Sequence, residues 1–151
     1  MDTVALVRRL LEAYLPVMRH QRAELPLKLD GLVAARAFFA GCLADTRPEH
    51  ESLWVAHLDD DARCLHLSRH PGDETGADFP IRQILSDAVV HKSTGIVLAH
   101  NHPSGDARPS DSDRRATRRL AFAAETLDCT LVDHLVFAGK DCISFRQMGL
   151  L

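Results

Sequence analysis

The sequence predicts an α/β protein, a mixed β-sheet flanked by helices and preceded by an N-terminal helical pair. Three observations carry this. Strand, helix and strand patterns alternate from "ESLWVAHLDDDARCLHLS" through "IRQILSDAVVH" to "IVLAHNH". A long helical stripe, "SDSDRRATRRLAFAAETL", then leads into two more strands, "CTLVDHLVFAG" and "CISFRQ". The composition, 46% apolar and 5% aromatic over 151 residues, is that of an ordinary α/β chain long enough to bury one core.

In chain order, "TVALVRRLLEAYL" places Val4, Val7, Leu10, Leu11, Tyr14 and Leu15 at helical spacing, with Thr3 as its cap and Pro16 near its end. "DGLVAARAFFAGCLAD" predicts a second helix, N-capped by Asp30, with Leu32, Val33, Phe39 and Leu43 on its stripe. "TRPEH" breaks that pattern, so residues 1–48 form a helical segment and residues 49–151 the main domain. A hairpin turning at Asp59 to Asp61 follows, then a loop with Pro71, Gly72, Gly76 and Pro80. The next helix has Ile81, Ile84, Leu85 and Val89 in phase, and Thr94-Gly95 separates it from its strand. The final strand pair turns at Gly139-Lys140-Asp141.

The bulk numbers exclude several classes. A formal charge of −3 gives no general attraction to nucleic acid, so a DNA role would need a local patch. No apolar stretch approaches the roughly 20 residues that cross a bilayer. Cys42, Cys64, Cys129 and Cys142 are scattered, with no C-x-x-C pair and no signal peptide, which predicts reduced thiols in a cytoplasmic protein. Of nine histidines, His20, His50, His57, His66, His70 and His91 lack ligand spacing and read as surface or satisfied core residues.

"HNHPSG" is different. In an extended strand Ile96, Leu98, His100 and His102 share one face while Val97, Ala99 and Asn101 share the other, so the two imidazoles converge. They lie at the carboxyl end of an apolar strand, where open α/β sheets present ligands. Ser110-x-x-Asp113 has the form of a helix capping box with Asp in place of Glu, which by itself accounts for both residues. Yet Asp113, Thr117, Leu120, Ala124 and Leu127 fall on one stripe, the one that packs inward. An ionised carboxylate there is costly unless positive charge meets it, and a metal held by His100 and His102 supplies that charge. Two imidazoles and a carboxylate leave a fourth position open, as in a catalytic zinc site. Pro103 and Pro109 stiffen the intervening loop and Gly105 permits its turn. The spelling of the HNH nucleases is a coincidence, because their name refers to separated residues of a ββα unit.

"HNHPSGDARPSDSD" also fits the JAMM pattern H-x-H-x(7)-S-x-x-D at every position, and the stretch resembles the RadC family of JAB/MPN-type domains. The resemblance continues through "IRQIL" and "LVDHLVFAGKDCISFRQMGLL" and covers roughly residues 49–151. It implies a cytidine-deaminase-like fold and a zinc metallopeptidase site in which His100, His102 and Asp113 are the zinc ligands and water takes the fourth position. It also implies an upstream Glu that is no ligand but a general base and acid. Glu49 and Glu51 have the same strand parity; chains of this family place the Glu at the strand start, eight residues before an Asp, and Asp59 selects Glu51. Ser110 is then the hydrogen-bond donor to the oxyanion, a role compatible with capping its helix.

Other signals are weaker. Asp133-His134 matches the family's "DH" and reads as a polar pair within a strand, with a role beside the active site as the alternative. Ser104 reads as a turn residue. Arg114, Arg115, Arg118 and Arg119 form a basic band, read as a solvated face, the alternative being a grip on an acidic substrate or phosphate backbone. Residues 1–48 carry no clear helix-hairpin-helix signature, which weakens the DNA-repair association of longer RadC-like proteins. The expectation is a cytoplasmic, zinc-dependent JAMM-type metalloprotease acting on a protein or peptide substrate, with no membrane partner. The alternatives are a DNA-associated accessory protein and a zinc-bound binding module without catalysis; the sequence leaves the oligomeric state open.

Overall fold

The computed structural model describes residues 27–72 and 79–151. The first predicted helix and Gly76 lie outside the described residues. Within them the predicted α/β architecture is present: a five-stranded mixed sheet in the order β2-β1-β3-β4-β5, with three helices packed on its faces. The elements are α1 (Leu32–Ala44), β1 (Ser52–Leu58), β2 (Cys64–Pro71), α2 (Ile81–Val90), β3 (Gly95–Asn101), α3 (Asp111–Glu125), β4 (Thr130–Ala138) and β5 (Asp141–Ser144).

β3 is the central strand and the reason the site sits where it does. Its sequence, GIVLAHN, is buried at every position, as expected of a strand covered on both faces. It pairs antiparallel with β1 and parallel with β4, the parallel neighbour being reached by the crossover through α3. Alternation then sorts its side chains as predicted. Val97 and Ala99 join Trp54, Leu135 and Phe137 beneath Phe38, Phe39 and Cys42 of α1. Ile96 and Leu98 join Leu53 and Val55 beneath Ile84 and Ala88 of α2 and Leu120 and Ala124 of α3. Each such buried Leu, Ile or Phe contributes about 1.5–3 kcal/mol of transfer free energy.

The hairpin turns where Asp59 accepts from the backbone N–H groups of Asp61 and Arg63, both at 2.9 Å through one carboxylate oxygen. That side-chain acceptor offsets the cost of Ala62 in the left-handed region, at φ 62°.

Five local expectations need correction. Asp30 is not the cap of α1; Gly31 occupies that position, and no side chain caps the helix. The inward face of α1 is Ala35, Phe38, Phe39 and Cys42, while Val33 is 85% exposed, because small Ala35 and Cys42 let the helix approach the sheet. On α2 it is Ala88 that packs inward and Val89 that faces outward. Leu127 lies beyond the end of α3 and is partly exposed. "CISFRQ" is strand only to Ser144; the following turn is held by Asp133, which accepts from Ser144 Oγ at 2.6 Å and from the Arg146 backbone at 3.1 Å.

Candidate metal centre

Three elements deliver the site. The carboxyl end of β3 presents His100, with His102 just beyond it; the N-terminus of α3 presents Asp113; and the entry to β1 presents Glu51. Antiparallel register sets Leu53 opposite His100, which brings Glu51 alongside the imidazoles. Asn101 secures that entry: its carbonyl oxygen accepts from the Ser52 backbone and its amide donates to the His50 carbonyl, both at 2.8 Å. Gly72 closes the other side, its N–H donating to the Glu51 carbonyl at 2.9 Å; a Cβ there would lie 3.0 Å from both Glu51 Cβ and that carbonyl oxygen.

The result is one tight group. His100 Nε2 and His102 Nε2 are 2.8 Å apart, and Asp113 Oδ2 is 3.4 Å from the first and 3.0 Å from the second. Glu51 Oε1 stands 3.7 Å from His100 Nε2, and one ligand atom from each of the four residues falls within 4.8 Å of the rest. A tetrahedral zinc with bonds near 2.0–2.1 Å needs its ligand atoms about 3.3 Å apart, a spacing the His-His-Asp distances bracket. The donor chemistry agrees. His102 Nδ1 donates to the Asp106 carbonyl at 2.8 Å, so in the neutral ring Nε2 carries a lone pair toward two other acceptor atoms, an arrangement that repels itself unless a cation sits among them.

The predicted capping box is also present, so Ser110 and Asp113 serve the helix and the site together. Ser110 Oγ accepts from the Asp113 N–H at 3.0 Å, and the Ser110 N–H donates to Asp113 Oδ2 at 2.9 Å. Gly105 has φ +86°, the left-handed conformation its turn requires. Ser104 accepts from the Asp106 N–H at 3.3 Å and serves that turn.

Burial by itself would raise the Asp113 pKa, but the adjacent His100 and His102, which can donate to its carboxylate when they carry a proton on Nε2, outweigh it and hold the carboxyl well below its usual range. In the same way the hydrogen bond that protonated His102 makes to Asp113 raises the His102 pKa against the opposing effect of burial.

A cleft of about 650 Å³ opens over these residues. Glu51, His100, His102, Ser110 and Asp113 all line it, with apolar lining from Leu53, Pro71, Phe79 and Pro80 and polar lining from Ser104, Asp106, Arg108 and Ser112. Glu49 is exposed and is not among the lining residues.

Asp133 and His134 part company. Asp133 holds the C-terminal turn, whereas His134, wholly buried, places Nε2 2.7 Å from His100 Nδ1. Burial first, and the neighbouring His100 second, push its pKa well below 6.5. The Arg band is mixed: Arg115, Arg118 and Arg119 are exposed, while Arg114 is half-buried with its Nε unpartnered.

Sequence reasoning missed a second histidine group at the far end of β1. His57 and His66 are register partners, and His91, the C-cap of α2, stacks on His66 with centroids 4.1 Å apart. His57 is fully buried and its Nε2 has no hydrogen-bond partner, contrary to the reading of a satisfied core histidine. Only the pairing of β1 with β2 and the length of α2 bring these rings together. His70, read as an ordinary histidine, lines the cleft.

Comparison with known proteins agrees with the geometry. Residues 32–150 match the RadC-like JAB domain family. The chain is 32% identical over 133 residues to a UPF0758 protein of Pelodictyon phaeoclathratiforme, covering 87% of this chain and 59% of that protein. It is 38% identical over 104 residues to a UPF0758 protein of Vibrio cholerae, covering 68% of this chain and 65% of that one. A UPF0758 protein of Flavobacterium johnsoniae is 30% identical over 141 residues, with coverage of 91% and 61%. The chain thus spans about three fifths of the length of these relatives. With a mixed sheet, His100 and His102 at the end of its central strand, Asp113 at the head of the next helix, and a family match over most of its length, the chain belongs to the RadC-like JAB domain family.

Proposed function

We propose that this domain is a zinc-dependent metallopeptidase that hydrolyses a peptide or isopeptide bond in a protein or peptide substrate. The observation that carries the reading is the position of Glu51. It belongs to the four-residue group yet stands farthest from His100, enters from a different strand, and keeps a side chain 35% exposed toward the cleft. A carboxylate needed only to hold a metal has no reason to remain open to solvent; a general base does.

His100, His102 and Asp113 would hold the ion. Bound there, zinc supplies Lewis acidity, lowering the pKa of a water and polarising the scissile carbonyl. Glu51 accepts the proton of the attacking water and returns it to the leaving nitrogen. Ser110 donates a hydrogen bond to the oxygen that gains charge; its Oγ lines the cleft, accepts from the Asp113 N–H and lies 3.1 Å from Ser112 Oγ, which can donate to it and leave the Ser110 hydroxyl hydrogen for substrate. Leu53, Phe79 and Pro80 give the cleft an apolar lining that holds substrate side chains and excludes bulk water from the bond. Asn101 and Gly72 hold the Glu51 backbone, so that the base approaches from a fixed direction.

The test is cleavage of a peptide library followed by mass spectrometry, with zinc-loaded wild type and Glu51→Gln compared. Wild type is expected to cleave, and Glu51→Gln to retain zinc while losing roughly 100-fold or more in rate. Equal cleavage by the variant, or no cleavage by zinc-loaded wild type, contradicts the reading; the second result leaves a zinc-bound module without catalysis.

A further inference from the structure

We propose that Thr117 and His134 are positioning residues that select the tautomer of His100, fixing which of its nitrogens faces the metal. The inference rests on the metal-site reading above and deepens it.

The argument follows one proton at a time. Thr117 Oγ1 lies 2.6 Å from the backbone carbonyl of Asp113 and 2.8 Å from His134 Nδ1. A carbonyl oxygen only accepts, so the single hydroxyl proton of Thr117 is committed to it. Toward His134 the hydroxyl therefore accepts, and His134 Nδ1 must be the nitrogen that carries hydrogen. His134 is wholly buried and hydrogen-bonded to no carboxylate, so its ring is neutral and has one N–H. Its Nε2 is then bare. Facing it at 2.7 Å is His100 Nδ1, and two bare nitrogens do not approach so closely, so His100 donates from Nδ1. The lone pair of His100 is left on Nε2, the atom that faces His102 Nε2 and Asp113 Oδ2.

The relay cannot easily reverse. Phe145 stacks on the His134 ring, centroids 4.5 Å apart at 17°, and Phe79 meets it edge-on at 5.3 Å. A flip of the ring about Cβ–Cγ would put carbons where Nδ1 and Nε2 now stand, losing both hydrogen bonds, and the turning ring would have to push past Phe145 and Phe79. The two ligand histidines thus reach the same tautomer differently: His102 through one backbone carbonyl, Asp106, and His100 through two side chains that end on the backbone carbonyl of Asp113. The carbonyl that starts the relay and the carboxylate at its end belong to one residue, so seating α3 aligns both.

Two measurements test this. The first is the tautomer of His134 in metal-free wild type, read from nitrogen-15 shifts and long-range couplings. Hydrogen on Nδ1 is expected, and hydrogen on Nε2 overturns the relay whether or not zinc binds. The second is zinc affinity by chelator competition for wild type, Thr117→Val and Thr117→Ser. Thr117→Val keeps the shape and removes the acceptor, and is expected to weaken zinc by roughly 10–100-fold, while Thr117→Ser stays near wild type. Equal affinity in all three, or equal loss in Val and Ser, overturns the assignment. Failure of wild type itself to bind zinc strikes the metal-site reading instead, and the tautomer measurement still judges the relay.

Discussion

Among the described residues two histidine groups stand, one at each end of β1, and they are built on opposite principles. At the entry end, His100 and His102 point Nε2 atoms at one place, 2.8 Å apart, with Asp113 at 3.0 Å and 3.4 Å. At the far end, His66 and His91 lie face to face at 11°, and His57 stands 5.6 Å from His66 between centroids. A carboxylate is near there too, Asp87 Oδ2 at 3.8 Å from His66 Nε2, but its other oxygen is taken by Gln83. Among the described residues, ligand atoms converge within 4.8 Å at the first group and not at the second. Nearness of imidazoles is therefore no measure of a metal site; aligned lone pairs and a committed negative charge are.

The largest effect that separates the groups is on zinc affinity. His102→Ala removes a ligand from the convergent group and is expected to weaken binding by about 3 kcal/mol or more, a hundredfold or greater, when the binding free energy is shared among ligands. His66→Ala is expected to change it less than about twofold, and chelator competition measures both. A comparable loss in the two variants would erase the distinction.

Acid stability reverses the roles. Burial, then the neighbouring His66, lowers the His57 pKa to about 4 from 6.5. His57 Nδ1 donates to Ser93 Oγ at 3.2 Å, since that hydroxyl is committed to the Ala88 carbonyl. A depressed folded-state pKa means the unfolded chain takes up the proton first as pH falls. The stability tied to neutral His57 is thus present above pH 6.5 and lost as pH falls through about 4. The loss is about 3 kcal/mol by the linkage relation. Urea unfolding of metal-free wild type and His57→Leu, at pH 7 and pH 4, should show the steeper fall in wild type; parallel falls would remove His57 as the cause.

Asn101 tests the entry end without touching a ligand. Asn101→Ala leaves the His50 carbonyl and the Ser52 N–H without their side-chain partner, at a cost of about 2 kcal/mol in unfolding free energy. Zinc affinity should stay near wild type, because neither His100 nor Asp113 bonds to the Asn101 side chain. The smallest effect is the pH slope of zinc binding. Asp113 raises the His102 pKa, so below that raised value a proton competes with the metal. Affinity is expected to fall by roughly tenfold per pH unit as pH decreases, from one displaced proton. A pH-independent affinity between pH 5 and 8 would contradict the ligand assignment of His102.

What was legible in the sequence follows the same division. The convergence of His100 and His102 is a period-2 property of one strand, and the inward turn of Asp113 a period-3.6 property of one helix, so local pattern reveals both. Glu51 needed the family resemblance, because its parity equals that of Glu49. What separates them physically is tertiary: the Asn101 bond to Ser52 and the close pass of Gly72. The phase of α1 misled for a related reason. Val33 is the more hydrophobic residue, but Ala35 and Cys42 are the ones small enough to let Phe38 and Phe39 reach the sheet. The histidines around His57 come from two strands and a helix end, and no single stretch announces them.

The most direct test of the central claim is zinc content by elemental mass spectrometry after equilibration with zinc, on untagged wild type beside Asp113→Asn. About one zinc per wild-type chain, and a much reduced content in a folded variant, is the predicted result. Metal-free, well-folded wild type would contradict it and leave Ser110 and Asp113 as a helix cap alone.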